Sequence, residues 1–338
     1  MREQIIKEFL KKSGLSGARS TPLAGDASFR SYRRLTHHGE TLVLMDAPPA
    51  LEDVRPFMAI AGYLNGLGLN APKILARDTT RGLLVLEDFG DDKFSNGLNR
   101  DPGMTRALYQ AALEVLIHLH QTRPPDELPL EGEANVPLPE YNEALLFEEL
   151  FLFCDWYLPA LKGRQEASWR KDLEGLFAPL FKRLKGSPEC LTLRDYHADN
   201  LMWLPEREGV ERVGLLDFQD AVCGHPAYDL VSLLRDCRRP YDAALEKDMI
   251  TRYLERSAKA GRPCDHEAFL VAYEILGAQR NMKIIGIFTR LWKRDGKAAY
   301  PKMIPRVWSL LDKNLDHPLL AGVRDWIGRV AAKDRRGL

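Results

Sequence analysis

The segment Leu191-Thr-Leu-Arg-Asp195-Tyr-His-Ala-Asp-Asn200-Leu-Met-Trp203 is a polar loop, Asp195 to Asn200, held between apolar flanks. An Asp and an Asn stand five positions apart, directly before a short strand pattern. Seventeen residues beyond Asn200, the apolar run Val213-Gly-Leu-Leu216 delivers a second acid, Asp217. A hairpin between the two loops brings Asp195, Asn200 and Asp217 to one end of a strand pair. Oxygen-only donors of this kind suit Mg²⁺, which takes one or two carboxylates and leaves its other positions to water and phosphate. Alone, Asp-x-x-x-x-Asn is most often a capped turn. Specificity comes from the whole series, which ends in Gly224-His-Pro-Ala-Tyr-Asp229-Leu. There Asp229 falls in a Pro-initiated helix start, where an acid also suits the helix dipole.

Outward from this segment the two directions read differently. Toward the N-terminus, a helix over residues 2–12 precedes strand patterns at 20–24, 29–35 and 40–46, separated by Gly25-Asp26 and His38-Gly39 turns. A helix over 51–67 and strands near 73–77 and 83–86 complete a small antiparallel sheet. Beyond Gly90 the apolar spacing turns helical at 105–122, 138–158 and 169–184. Two short strands, near 201–204 and 212–216, interrupt the helices, which resume at Ala227. Residues 124–139, rich in Pro and acids, read as a loop. The expected class is therefore α+β, with a small antiparallel-sheet N-lobe at 1–90 and a mainly helical C-lobe at 91–338.

Composition bounds the function. The chain has 338 residues with 48 Lys+Arg against 48 Asp+Glu, so neither a nucleic-acid partner nor a membrane surface held by bulk charge is expected. No apolar run approaches the ~20 residues of a membrane span. Five scattered cysteines without a C-x-x-C pair suit a reducing compartment, and a cytoplasmic location is expected. Neutrality is a cancellation, however. Residues 280–338 carry 14 basic and 5 acidic residues, so the remainder of the chain is acidic.

Arg194-Asp195-x-x-x-x-Asn200 resembles the catalytic loop of protein-kinase-like enzymes, and Asp217-Phe218 resembles the metal-binding Asp that follows it. The form Asp-Tyr-His-Ala-Asp-Asn is most similar to the aminoglycoside phosphotransferase and choline kinase branch. Leu193 stands where protein kinases carry His, and Asp217-Phe-Gln219 lacks the usual Gly. The resemblance implies a bilobal protein-kinase-like fold using ATP and Mg²⁺. Asp195 would accept or orient the proton of the attacking hydroxyl, Asn200 and Asp217 would hold the metal, and Asp229 would support the catalytic loop. The turn Leu23-Ala-Gly25-Asp-Ala-Ser28-Phe-Arg30 would let backbone N–H groups, the Ser28 hydroxyl and Arg30 approach phosphates, with Gly25 giving the backbone room. Glu87 to Phe89 would form the hinge, offering backbone hydrogen bonds to an adenine. Met45 stands where the branch usually has a Lys for the α- and β-phosphates, leaving Arg30, Arg33 and Arg34 as replacements.

Five segments occur in one order: Gly25-Asp-Ala-Ser-Phe-Arg-Ser-Tyr, Met45-Asp-Ala-Pro-Pro49, Leu86-Glu-Asp-Phe-Gly90, Leu150-Phe-Leu-Phe-Cys-Asp-Trp156-Tyr and Asp217-Phe-Gln-Asp-Ala221. Together they resemble the bacterial anomeric amino-sugar kinases acting on N-acetylmuramate and N-acetylglucosamine in peptidoglycan recycling. In that group the Met-Asp-Ala-Pro-Pro segment replaces the Lys strand. The implied partner is a small amino sugar, with Glu148, Asp155, Trp156 and Asp220 as acceptor contacts, and Glu149 and Tyr157 beside them. Arg280 or Lys283 would meet an acceptor carboxylate. The alternatives are a phosphotransferase for an aminoglycoside or another small alcohol, and a nucleotide-binding pseudokinase.

Overall fold

The computed structural model describes residues 1–23, 29–187 and 189–337. Gly25 and Ser28, expected in the phosphate-binding turn, lie outside the described residues.

The chain begins with α1 (Arg2–Lys12) and then forms β1 (Arg19–Pro22), β2 (Ser31–His37) and β3 (Glu40–Asp46). His38 and Gly39, at φ 50° and 87°, make a two-residue turn of the kind whose twist suits a hairpin. After α2 (Arg55–Gly66) come β4 (Ile74–Asp78) and β5 (Leu83–Glu87), and the antiparallel sheet runs β1-β2-β3-β5-β4. Gly82 closes this sheet because no side chain fits there. A Cβ would stand 1.9 Å from the Ala47 carbonyl oxygen, and Ala47 N–H donates to Gly82 O at 2.9 Å.

Period-two alternation gives the sheet two faces. Leu35, Leu44, Leu83 and Val85 pack with Ile6 and Phe9 of α1. Tyr32, Arg34, Val43 and Leu86 point to the opposite side, where they line a cavity. The helix expected over 51–67 starts only at Arg55, because Pro48 and Pro49 are followed by a turn and Pro56 enters in the first helical turn.

The chain continues through α3 (Phe94–Arg100) and α4 (Thr105–Leu119), and the expected loop at 124–139 contains a two-residue ladder of β6 (Glu127–Leu128) with β7 (Val136–Pro137). The helix expected over 138–158 is shorter and broken. Asn142 caps α5 (Glu143–Leu152), accepting from Leu145 N–H, and a π-helical turn spans Phe153–Tyr157 before α6 (Leu158–Lys162). Helix α7 (Ser168–Phe181) and strand β8 (Cys190–Thr192) lead to the polar loop at 194–200. Next come β9 (Leu201–Trp203) and β10 (Val213–Leu215), paired with each other, and β11 (Val222–Gly224), paired with β8. The remainder is helical: α8 (Ala227–Leu234), α9 (Ala243–Lys259), α10 (His266–Lys293), α11 (Ile304–Leu315) and α12 (Ala321–Val330).

Packing divides this chain into two compact units. One comprises Met1–Leu119, Pro125–Leu138 and Ala198–Ala221; the other comprises His120–Pro124, Pro139–His197 and Val222–Leu338. This partition differs from the 1–90 and 91–338 division expected from the sequence, and the reason is local. Trp203 N–H donates to Asp92 O at 2.7 Å, Leu215 N–H donates to Asn70 O at 2.8 Å, and Phe218 stacks on Phe57 at 4.9 Å. These contacts tie the β9–β10 hairpin to the sheet-bearing unit. In the helical unit α10 is the central element, and Gly286 lets it approach the π turn: a Cβ there would lie 2.3 Å from the Leu152 carbonyl carbon. Among the described residues no helix is long and apolar enough to cross a membrane.

Candidate active site

Backbone strain marks both polar loops. His38, Arg194 and Asp217 are the non-glycine residues with positive φ among those described, and the last two flank the motif at 68° and 57°. Such conformations cost about 1–3 kcal/mol each and persist only where surroundings impose them. At Arg194 the imposing group is Asp229. Its fully buried carboxylate accepts from Leu193 N–H at 2.7 Å and from Arg194 N–H at 2.8 Å. Asp195 N–H then donates back to Leu193 O at 2.8 Å, closing a γ-turn of the left-handed, strained kind. The turn holds up Asp195, whose side chain is about half exposed at 48%.

Cations from α10 surround this carboxylate. Arg280, 5% exposed, donates to Ser232 Oγ at 2.6 Å and stands 3.7 Å from Asp195. The crowded surroundings oppose ionisation of Asp195, but Lys283, Arg280, His197 and Arg194 outweigh that and lower its pKa to about 2. Beneath lies a second network. Glu149 of α5 is buried and accepts from Lys283 Nζ at 2.6 Å, from Gln279 at 3.1 Å, from the Tyr141 hydroxyl and from the Arg194 guanidinium. Burial pushes the Glu149 pKa up, yet Lys283 and Arg194 bring it down to about 2. Glu149 therefore fixes Arg194, the residue next to Asp195, from the side-chain direction, while Asp229 fixes it through the backbone. His197 is buried without a compensating charge of sufficient weight, so burial and Arg238 lower its pKa to about 4 and the ring is neutral at pH 7.

In the sheet-bearing unit, Asn200 and Asp217 meet at the edge of a cavity of about 350 Å³, within the range of small-molecule sites. The Asn200 amide nitrogen is 3.4 Å from Asp217 Oδ2, and Gln219 donates to Asp217 Oδ1 at 2.9 Å. One carboxylate and one amide oxygen at a cavity wall fit Mg²⁺, which needs few protein ligands where phosphates and water supply the others. Among the described residues no group of three or more His, Cys, Asp and Glu forms a metal cage, as this mode of binding requires none. Pro72, Val43, Leu86, Phe89, Met202 and Leu216 line the cavity with apolar surface suited to a flat base. A larger cavity of about 840 Å³ follows α2 and β4, where Arg77 and Glu131 are the charged lining residues.

The structure distributes the sequence candidates unequally. Arg30, Glu87, Phe89, Asn200 and Asp217 line the one cavity. The Glu87 side chain is taken by Arg207 at 2.6 Å and its N–H by Lys73 O at 2.9 Å. Phe89 packs against Gly214, where a Cβ would lie 2.7 Å from its ring. Arg33 alternates to the other face of the sheet and pairs with Glu3 of α1. Of the acceptor candidates, Glu148 and Asp220 are exposed, Trp156 is half-buried, and Asp155 is paired with Arg170 at 2.6 Å. It is Glu149 rather than its neighbour Glu148 that turns inward. Arg280 and Lys283 are buried on α10 and engage Ser232, Asp195 and Glu149. Their three-residue spacing, which puts two cations on one helix face, was the sequence signal for this.

Residues 19–265 match the profile of the phosphotransferase enzyme family. An N-acetylmuramate/N-acetylglucosamine kinase of Caulobacter vibrioides is 38% identical over 99% of this chain and 98% of its own length. A protein of the same description from Pseudomonas aeruginosa is 37% identical over 86% of this chain and 82% of its own. Among solved structures, a choline/ethanolamine kinase family protein from Mesorhizobium loti superposes with a TM-score of 0.62 at 15% identity, over 96% of this chain and 100% of the other. A choline kinase from Streptococcus pneumoniae gives 0.59 at 18%, over 92% and 99%. These two likenesses show the α+β protein-kinase-like fold, with its sheet-bearing N-lobe and helical C-lobe. With the profile match and the relatives of near-equal length, they lead to one statement: the chain belongs to the phosphotransferase enzyme family, whose members transfer phosphate from ATP to the hydroxyl of a small molecule.

Proposed function

We propose that this phosphotransferase places the γ-phosphate of ATP on the anomeric hydroxyl of N-acetylmuramate, N-acetylglucosamine or both. The observation that carries the reading is the likeness, across nearly the whole chain, to kinases of that description. In the reaction the anomeric oxygen bonds to Pγ, the bond from Pγ to the ADP oxygen breaks, and the hydroxyl proton passes to Asp195 or through it to water. Asn200 and Asp217 would hold Mg²⁺, which would supply neutralisation of charge on the phosphates.

The electrostatics of Asp195 support this assignment. A carboxylate lowered to about 2 is a weak base, better at orienting a hydroxyl than at removing its proton early. Phosphoryl transfer through a loose transition state needs orientation and charge neutralisation more than a strong base. An anomeric hydroxyl is also more acidic than an ordinary alcohol, so a weak base suits it. The cations about Asp195 disfavour a polycationic acceptor such as an aminoglycoside.

The experiment is a substrate panel with Mg-ATP, reading ADP release, followed by phosphorus NMR of the product. An anomeric phosphate loses its signal on mild acid treatment, whereas a 6-phosphate keeps it. Turnover of aminoglycosides with none of any amino sugar would overturn the proposal.

A further inference from the structure

An acceptor that carries a carboxylate needs a cation whose charge no protein carboxylate already closes. Two cations stand on one face of α10, Arg280 and Lys283, and both lie over the ring of Tyr228, at 5.7 and 5.9 Å from its centroid. Their partners separate them. Lys283 Nζ donates to the Glu149 carboxylate at 2.6 Å, so its charge is matched there. Arg280 Nη2 donates instead to a neutral group, the Ser232 hydroxyl, at 2.6 Å. Its one ion pair among the described residues, with Asp195, is 3.7 Å long and beyond hydrogen-bond distance.

Arg280 is therefore a buried guanidinium held by a short bond to a hydroxyl, with most of its N–H donors unspent. Among the described residues Nε and Nη1 donate to no protein group, and neither atom is fully enclosed. Ser232 is itself fully buried on α8, one turn after Tyr228, so hydroxyl and ring hold the guanidinium from the same helix. That fixes the planar fork before any ligand arrives, which lowers the cost of binding one. A carboxylate meets such a fork in its plane, through parallel N–H···O bonds. Every group in this arrangement, Asp195 included, belongs to the helical unit.

The geometry points to Arg280 as the specificity-determining residue that receives the carboxylate of an acidic acceptor, with Ser232 as the residue that orients it. Of the two sugars proposed above, N-acetylmuramate carries such a group, on a lactyl ether at C3 of the ring whose anomeric hydroxyl meets Asp195. N-acetylmuramate is then the better acceptor. Its advantage comes from Arg280 and not from Lys283, whose ammonium is held by Glu149. The inference rests on the amino-sugar reading and on Asp195 as the group at the acceptor hydroxyl.

Steady-state kinetics with Mg-ATP test it, on N-acetylmuramate, on its carboxamide, which keeps the size and loses the charge, and on N-acetylglucosamine. In the wild-type chain kcat/KM should be about tenfold or more higher for the acid than for the amide, the worth of a charged pair over a neutral one. In Arg280→Gln that ratio should fall to within about twofold. Any loss that Arg280→Gln causes through Asp195 is common to acid and amide and cancels in the ratio. Arg280→Lys should keep an intermediate ratio. Ser232→Ala, which only loosens the guanidinium, should lower it by about two- to threefold. An acid-to-amide ratio near one in the wild-type chain overturns the proposal, and that measurement needs no variant to fold. So does a wild-type ratio that survives in Arg280→Gln. Turnover of N-acetylglucosamine with none of N-acetylmuramate overturns it too, while leaving the kinase reading intact. Turnover of neither sugar removes the amino-sugar reading itself, and this inference with it.

Discussion

Replacing Asp229 by Asn tests whether the turn at Arg194 is held by one buried carboxylate. The side chain keeps its shape, but the charge goes and one oxygen becomes an NH₂ group. Two backbone donors, Leu193 N–H at 2.7 Å and Arg194 N–H at 2.8 Å, now share one acceptor. A hydrogen bond to a charged group contributes about 1.5–3 kcal/mol, and an orphaned buried donor costs about 1–3 kcal/mol. Because Asp229 is fully buried, water cannot substitute, and the expected loss is about 3 kcal/mol. For a cooperative unit of this size that lowers Tm by about 6–12 °C. The γ-turn at Arg194 loses its restraint and relaxes from φ 68°, displacing Asp195. A misplacement of about 1 Å costs about a hundredfold in kcat. The cavity residues Arg30, Glu87 and Asp217 lie in the other compact unit, so Mg-ADP affinity should stay within about threefold by calorimetry. A variant with wild-type Tm and wild-type kcat would refute the reasoning. A loss of ADP affinity in proportion to kcat would show that Asp229 acts on the whole molecule and not on the turn.

Other perturbations separate the remaining roles. Asp195→Ala should abolish turnover by about a thousandfold or more with little change in ADP binding, whereas Asp217→Ala should weaken Mg-ADP binding itself, and calorimetry distinguishes the two. Glu149→Gln leaves Lys283 and Arg194 without their anion in a buried setting and should destabilise the chain by about 3–5 kcal/mol, read by denaturant unfolding. Acid should destabilise the helical unit early. Burial lowers the His225 pKa to about 3, and burial with Arg238 lowers that of His197 to about 4, against 6.5 for a free ring. Between pH 6.5 and these values the unfolded chain binds two protons that the folded chain excludes, so stability is full above pH 6.5 and falls as pH drops toward 3. By pH 5 the loss reaches about 3–4 kcal/mol, and Tm against pH should show it in His197 and His225 but halve its slope in His225→Phe. The Glu149 contribution leaves in a separate window, present above pH 4.5 and lost toward pH 2.

Much of this protein was legible as a linear pattern, and the reasons are local. The period-two runs in β2, β3 and β5 fix which side chains share a face, so Leu35 and Leu44 go to the core and Tyr32 and Val43 to the cavity. The series from Asp195 through Asn200 and Asp217 to Asp229 was readable as a candidate site because its polar loops are framed by apolar strand patterns. Helix α1 and the strands of the N-terminal sheet lie within two or three residues of where apolar spacing and turn residues put them. The breaks were harder. The π turn at Phe153–Tyr157 lies against α10 at Gly286, a contact made by residues more than a hundred positions away.

Charge is where tertiary structure decided most. The sequence determined that residues 280–338 are basic and the remainder acidic, but charge counts carry no direction. Folding buries Arg280 and Lys283 on one face of α10, beside Asp195 and Glu149, so these cations act on two particular carboxylates. Burial also chose Glu149 over Glu148, since a helix turns adjacent residues about 100° apart and only one can face the core. At the cavity, composition offered three arginines as equals. Strand alternation sent Arg33 to Glu3, acidic neighbours enclosed Arg34, and Arg30 lines the cavity 3.7 Å from Glu52. Residue type and spacing set the reaction class, while the low-dielectric packing around each charge sets which side chain performs which part.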